Sequence, residues 1–157
     1  MNKTILPVIF IISVLFIAVG LIGDNKEANE NSALTTVSNI QQLNDALKEG
    51  PVLVEIGTDT CPACIAQKPI MIDIANDYRG KATVIYINSG KSPALAGSFN
   101  IYSIPDIFVI AAKSDDGYIY MKTDGQTTNN RNEARFIGLT ARKTLTNLLD
   151  AAIDYRQ

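Results

Sequence analysis

Cys61 and Cys64 are the two residues of this 157-residue chain with the clearest capacity for chemistry. The chain has no other cysteine and no histidine. A zinc site takes about four ligands, so one chain supplies too few unless two chains share the metal. A structural disulfide that closes so short a loop gains little chain entropy. The spacing by itself is moderately specific, and its place at a predicted strand–loop–helix junction favours a redox-active dithiol. A shared zinc site, a structural disulfide and a chance pair remain the alternatives.

The elements around the cysteines make the two sulfurs unequal. The apolar run Val52–Ile56 predicts a buried strand, and a helix is predicted to start at about Cys61 and to include Ile65–Tyr78. Pro62 suits the first helical position, where its missing N–H costs nothing. The sulfur of Cys61 would then lie beside unpaired backbone N–H groups, which favour a thiolate. Cys64 would lie one turn further on, as a shielded partner.

Strands and helices alternate in the rest of the chain from residue 33 onward. Strands are predicted at 33–37, Ala82–Asn88, Asp106–Ala111 and Tyr118–Thr123. Helices are predicted after the capping-box pattern of Ser38 and Gln41, at Pro93–Phe99, and after Thr140, which is expected to cap the last helix. This order, βαβαβαββα, predicts an α/β domain that has a mixed sheet with helices on both faces.

The N-terminal segment has the composition of a membrane anchor. The uncharged apolar run Ile5–Ile22, as a helix of about 18 residues, would span roughly 27 Å of bilayer. Lys3 precedes the run, so residues 1–4 are expected in the cytoplasm, and the rest of the chain is expected outside it. Residues 23–32 read as a flexible linker to a domain at 33–157. A signal peptide cleaved after the small residues Ala18 and Gly20, which would release a secreted soluble form, is the alternative.

The composition is that of an ordinary globular protein. Hydrophobic residues make up 46% of the chain, charged residues make up 19%, and the net charge is −2. These values indicate neither a basic surface for nucleic acid nor a polybasic patch for a membrane surface. The membrane would be contacted through residues 5–22 instead.

The chain from about residue 33 to residue 155 resembles the thioredoxin family. The match begins with the motif Cys61-Pro62-Ala63-Cys64. Glu55 stands six residues before the first cysteine, where the family has a buried acid. Pro69 stands at the position of the family's helix-kinking proline, and Gly138 stands where a glycine precedes the last helix. The pair Ile104-Pro105 matches the family's cis-proline and the aliphatic residue before it.

The resemblance implies a thioredoxin fold, with a central mixed five-stranded sheet flanked by helices, and thiol–disulfide exchange with protein substrates. Cys61 would be the nucleophile that attacks a target disulfide, and Cys64 would resolve the mixed disulfide. Glu55, with its pKa raised by burial, would accept the proton of Cys64. A surface carboxylate on an edge strand is the alternative reading of Glu55.

The same resemblance places a substrate groove beside the cysteines. An extended substrate segment would pair with the backbone next to a cis Ile104–Pro105 bond. The predicted substrate-binding residues are Ile104, Pro105, Thr60, Pro62 and Ala63. A trans proline at the start of a strand is the alternative for Pro105. The resemblance implies no cofactor and no metal.

Five departures from the family pattern affect the partner and the direction of reaction. Thr60 replaces the usual tryptophan, and Pro-Ala replaces the usual Gly-Pro dipeptide. The acid is the longer Glu55, and Tyr86 stands where a lysine is often found. The connection Thr123–Gly138 is long and strongly polar.

The expected direction of reaction is reduction outside the cytoplasm. Ala63 between the cysteines offers no charge to stabilise a thiolate, and an ionised Glu55 would oppose one. Such an enzyme needs an electron donor that the sequence does not identify. The alternatives are a thiol oxidant or isomerase of the same fold and a redox-inactive peptide-binding module. A third is a membrane assembly factor whose Thr123–Gly138 loop docks a dedicated partner.

Overall fold

The computed structural model describes residues 33–157. The predicted anchor at 5–22 and the predicted linker at 23–32 lie outside the described residues. Within 33–157, no helix has both the length and the apolar character needed to cross a membrane.

Strands and helices alternate in the order that the sequence predicts. The strands of the described part are β1 (Thr35–Thr36), β2 (Val52–Gly57), β3 (Thr83–Asn88), β4 (Asp106–Ser114), β5 (Gly117–Met121), β6 (Thr127–Thr128) and β7 (Arg135–Ile137). The α-helices there are α1 (Ile40–Glu49), α2 (Pro62–Asp77), α3 (Pro93–Ser98) and α4 (Arg142–Tyr155). A 3-10 turn at Arg131–Glu133 lies between β6 and β7.

The strands form one mixed sheet in the order β1-β3-β2-β4-β5-β6. β1, β2 and β3 run parallel, whereas β4 runs antiparallel to β2. β5 pairs with the second half of β4, and β7 pairs with its first residues, Asp106–Phe108. The prediction of a five-stranded sheet was wrong, because the sheet also contains β6 and β7. Both are short pieces of the polar connection and lack the apolar alternation that marks a strand.

Helices cover both faces of this sheet, as predicted. α1 and α3 pack on one face through Leu43, Leu47 and Leu95. α2 and α4 pack on the other face, where Met71, Ile74, Leu145 and Leu149 join the core. Because side chains alternate along a strand, β2 directs Val54 and Ile56 to the first face, and Leu53 and Glu55 to the second. The alternation of β2 therefore places Glu55 beneath α2.

Two predicted helix caps differ from the structure. The capping box of α1 is formed by Asn39 and Gln42, one residue later than the predicted Ser38 and Gln41. Asn39 Oδ1 accepts from the Gln42 N–H at 3.1 Å, and Gln42 Oε1 accepts from the Asn39 N–H at 3.3 Å. Thr140 does not cap α4, because its hydroxyl donates to the Gly138 carbonyl instead.

Candidate dithiol site

The junction between β2 and α2 positions the two cysteines. Cys61 is the N-cap residue of α2, and Pro62 is the first residue of the helix. The Sγ of Cys61 accepts a hydrogen bond from the Cys64 backbone N–H at 3.2 Å. It also lies 3.9 Å from the carbonyl oxygen of Ile104. Cys61 is partly exposed, and both cysteines are free thiols in the structure. The more accessible sulfur of the pair is therefore that of Cys61, at the helix N-terminus.

Cys64 lies behind Cys61 and is only 3% exposed. Burial is the main reason that the pKa of its thiol rises to about 12, and the adjacent Cys61 side chain adds to the effect. Gly57, at the end of β2, makes room for this thiol. A Cβ at Gly57 would lie 2.9 Å from the Cys64 Sγ, so a side chain there would displace it. The Cys64 thiol therefore stays protonated near neutral pH unless a nearby group takes up its proton.

Glu55 is 1% exposed, and neither of its carboxylate oxygens has a hydrogen-bond partner among the described residues. Burial raises the pKa of its carboxyl group to about 7, although the positive charge of Lys68 opposes the rise. Glu55 pairs with Tyr86 of β3 on one side and with Ile107 of β4 on the other. The edge-strand reading of Glu55 is therefore wrong, because β2 is a central strand.

The Ile104–Pro105 peptide bond is cis, so the trans reading does not describe this structure. The carbonyl of Pro105 accepts a hydrogen bond from the Gly138 N–H at 2.8 Å. Gly138 has a φ of +88°, a left-handed conformation that suits glycine. Gly138, Pro105 and the Cys61 sulfur thus lie along one edge of the site.

The other predicted binding residues surround the helix N-terminus. Thr60 and Pro62 are exposed, and Ala63 is half-buried. Tyr86 is also half-buried, and burial raises the pKa of its hydroxyl. The structure thus places Thr60, Pro62 and Ala63 around the cysteines and Tyr86 beside Glu55 on the sheet.

Sequence reasoning missed one buried polar residue on α2. Gln67 is fully buried, and its Oε1 accepts a hydrogen bond from the Thr140 N–H at 2.8 Å. Gln67 thus ties the cysteine-bearing helix to the segment after Gly138. Its one sequence signal is a polar residue three positions after Cys64, on the side of the helix that also carries Met71 and Ile74.

Sequence reasoning also missed a cluster of charged residues next to the cis-proline. Asp106 is fully buried and forms ion pairs with Arg131 and Arg135. No local pattern joins these residues, because Asp106 and Arg131 are 25 positions apart.

The chain is similar to thioredoxins in sequence. Residues 33–135 match the family model described as Thioredoxin. The chain is 30% identical over 105 residues to a chloroplastic M-type thioredoxin of Zea mays, and the match covers 67% of this chain and 53% of that protein. It is 33% identical over 79 residues to a thioredoxin of Synechocystis sp., covering 50% of this chain and 74% of that one. The chain spans about half the length of the first curated relatives that it matches.

Solved structures of thioredoxins share the fold. A mutant thioredoxin from Halobacterium salinarum NRC-1 has a TM-score of 0.57 at 19% identity, covering 76% of this chain and 90% of that one. The thioredoxin of Trichomonas vaginalis has a TM-score of 0.55 at 20% identity, covering 80% of this chain and 99% of that one. At these identities, the likeness concerns the fold.

Replacing Glu55 with Gln should remove a pH dependence of stability. The folded state keeps the Glu55 proton up to a pKa of about 7, whereas the unfolded state releases it near the ordinary value of 4.5. Wild-type stability should therefore fall as the pH rises from about 4.5 to about 7, and stay lower above that range. Relative to Glu55→Gln, the loss should reach about 3 kcal/mol.

Urea unfolding of the reduced full-length protein at pH values from about 4 to about 8 measures this difference. Glu49→Gln, at an exposed position on α1, is the matched control and should follow the wild type. A constant difference between wild type and Glu55→Gln over the whole range would show that Glu55 does not have a raised pKa.

Proposed function

Since this chain belongs to the thioredoxin family, we propose that it is a thiol–disulfide oxidoreductase that acts on protein disulfides through Cys61 and Cys64. The observation that carries the proposal is the difference between the two sulfurs. The Cys61 sulfur is accessible and accepts a backbone N–H at the start of α2, whereas Cys64 is buried behind it. One sulfur is placed to attack a substrate and the other to complete the exchange.

In the first step, the Cys61 thiolate attacks one sulfur of a substrate disulfide. A Cys61–substrate S–S bond forms, the substrate S–S bond breaks, and the second substrate sulfur leaves with the electron pair as a thiolate. The Cys64 N–H, 3.2 Å from the Cys61 sulfur, stabilises the negative charge there before the attack.

In the second step, Cys64 attacks the Cys61 sulfur of the mixed disulfide. Its proton passes to the Glu55 carboxylate, a Cys61–Cys64 disulfide forms, and the substrate leaves as a second thiolate. A thiol with a pKa of about 12 ionises too rarely near neutral pH to react fast by itself. A carboxyl group with a pKa of about 7 can accept this proton at neutral pH. The unfolding experiment on Glu55→Gln tests the raised pKa that this role requires.

Protein substrates would bind along the backbone at Ile104, whose carbonyl oxygen lies 3.9 Å from the Cys61 sulfur. An extended segment that pairs there brings its disulfide to Cys61. Ile65 and Leu139 expose more than half of their surface near this edge and offer apolar contacts to the segment. Thr60, Pro62 and Ala63 form the opposite rim in this proposal.

Replacing Cys64 with Ser should trap substrates as mixed disulfides with Cys61. The first step remains possible in this variant, but no second thiol can release the substrate. Insulin is the substrate, and non-reducing electrophoresis measures its adduct with the protein. A reduced and alkylated protein, which cannot form disulfides, serves as the carrier. Cys61→Ser is the matched control and should form no adduct, and wild-type protein should reduce insulin in the presence of dithiothreitol. Trapping by Cys61→Ser would mean that the roles of the two cysteines are reversed.

We further propose that the protein works mainly as a reductant, recharged by an electron donor of unknown identity. No cationic side chain stands between the cysteines, where Pro62 and Ala63 are found, so little favours a strongly stabilised thiolate. The negative charge that Glu55 acquires above a pKa of about 7 also disfavours a thiolate nearby.

The Cys61–Cys64 couple should therefore have a reduction potential closer to the roughly −270 mV of thioredoxin than to the about −120 mV of a strong oxidant. Equilibration of the protein with glutathione buffers, followed by acid quenching and thiol labelling, measures it. The disulfide should stay largely oxidised in a mildly reducing buffer. A disulfide that is fully reduced there would identify an oxidant instead.

The location outside the cytoplasm is also a proposal, and it rests on the apolar run Ile5–Ile22 after Lys3. The full-length protein should stay in the membrane fraction after alkaline carbonate washing. Replacement of Val14 and Leu15 by Lys should release it, since each charge costs about 3 kcal/mol at the centre of a bilayer. N-terminal sequencing is the decisive measurement, because a mature chain that begins near Leu21 would indicate a cleaved signal and a secreted protein.

A further inference from the structure

The segment from residue 100 to residue 105, here called the cis-proline loop, joins α3 to β4. It carries Ile104, whose carbonyl oxygen lies 3.9 Å from the Cys61 sulfur. It also carries Tyr102, which is 78% exposed. Ile101 packs against the core and Pro105 is buried, but Tyr102 and Ser103 between them are exposed. The position of this exposed part beside Cys61 therefore depends on how the two ends of the loop are fixed.

Arg131, in the polar connection between β5 and β7, binds both ends of the cis-proline loop. Its Nη1 donates to the two carboxylate oxygens of Asp106 at 2.8 and 2.9 Å. Its Nη2 donates to the carbonyl oxygen of Phe99 and, at 3.4 Å, to that of Asn100. The guanidinium also lies 5.0 Å from the centre of the Phe108 ring. One side chain therefore joins the residues on either side of the loop.

This contact is buried and directional. The Arg131 side chain is 8% exposed, and Asp106 is fully buried. A buried carboxylate requires a paired cation, and the planar guanidinium can serve the carboxylate and the carbonyls together. Asn100 has a φ of 53°, a left-handed conformation typical of the residue that ends a helix. The positive charge of Arg131 thus lies at the C-terminal end of α3, beside the carbonyls of the two residues that follow it, where cations are favourable.

Arg135, the first residue of β7, holds the tip of the same loop. Its Nη1 lies 3.5 Å from the second carboxylate oxygen of Asp106, and its side chain is only 3% exposed. Its guanidinium lies 4.0 Å from the centre of the Tyr102 ring. One face of this ring therefore rests on a buried cation, while most of the side chain is open to solvent.

We propose that Arg131 and Arg135 are positioning residues for the cis-proline loop, and that Arg135 presents Tyr102 as a contact for protein substrates. The proposal rests on the proposed thiol–disulfide exchange. Both arginine side chains are turned into the protein, so these charges of the polar connection act on the loop and not on an outside partner. The open surface of Tyr102 suits an apolar or aromatic side chain of a substrate segment that reaches Cys61.

Tyr102→Ala and Arg135→Ala should both weaken the recognition of a protein disulfide. Each should raise KM for insulin about three- to tenfold, the size expected for one aromatic contact, and leave kcat within about twofold. The double variant should resemble Arg135→Ala, because the contact of Tyr102 with substrate is already lost when Arg135 no longer holds the ring. Tyr102→Phe keeps the ring and should retain the wild-type KM. Pre-reduced full-length protein should react with dithiodipyridine, a small disulfide, at the wild-type rate in all four variants.

Two surface changes away from the loop serve as controls. Tyr155→Ala removes a half-exposed tyrosine near the end of α4, and Arg142→Ala removes a half-exposed arginine at its start. Both should keep the wild-type KM for insulin. An unchanged KM in Tyr102→Ala would overturn the substrate contact. Additive losses in the double variant would overturn the action of Arg135 through Tyr102. If a variant loses as much activity with dithiodipyridine as with insulin, the substitution acts on the dithiol itself and not on substrate recognition.

Arg131→Lys tests the positioning role of Arg131 without any activity measurement. Lysine keeps the charge beside Asp106 but cannot serve both ends of the loop in one plane. Amide hydrogen exchange in residues 100–104 should become at least about fivefold faster, while exchange in β2 stays within about twofold of the wild type. Equal exchange in the loop would overturn the positioning role of Arg131. If the wild type reduces neither insulin nor dithiodipyridine, the proposed function and the substrate contact of Tyr102 are both wrong. Hydrogen exchange would still test whether Arg131 positions the cis-proline loop.

Discussion

Burial of β2 on both faces is the constraint on which the dithiol site depends. Val54 and Ile56 pack against one helix layer, so Glu55 between them must face the other layer, beneath α2. The strand then ends at Gly57, where the absence of a side chain leaves room for Cys64. A slip of one residue in the register of β2 would turn Glu55 away from α2. The chemistry of the cysteines is thus set by the packing of a strand that carries neither of them.

Glu55 and Asp106, the two fully buried acids among residues 33–157, have opposite surroundings. Glu55 has no hydrogen-bond partner among the described residues, and burial raises its pKa to about 7. Asp106 pairs with Arg131 and Arg135. An unpartnered carboxyl group costs stability at neutral pH but can exchange a proton with a neighbour. A carboxylate held by two guanidinium groups is suited to holding backbone in place. In the proposed function, Glu55 transfers a proton and Asp106 helps to position the loop, so the two roles belong to two different acids.

The polar connection between β5 and β7 contacts the cis-proline loop and belongs to this site. It interrupts the strand that runs along β4, so that β5 pairs with one half of β4 and β7 pairs with the other. Arg131 lies within the interruption and Arg135 directly after it, and both reach Asp106 at the end of the cis-proline loop. Gly138, which follows β7, bonds to Pro105. Three parts of the connection thus converge on Pro105 and Asp106, which directly follow the residue whose carbonyl oxygen lies 3.9 Å from the Cys61 sulfur.

The sequence by itself determined the order of the main strands and helices, and it placed the cysteines at a strand–helix junction. Apolar periodicity, Pro62 at the helix start and the spacing of Glu55 from Cys61 are local signals, so they can be read along the chain. The contacts of Gln67 with Thr140 and of Asp106 with Arg131 and Arg135 were decided only in the tertiary structure. These residues are polar and distant in sequence, and no periodicity links them. The reason is physical: a buried hydrogen bond depends on which surfaces the packed helices and strands bring together, and that is fixed only once the core has formed.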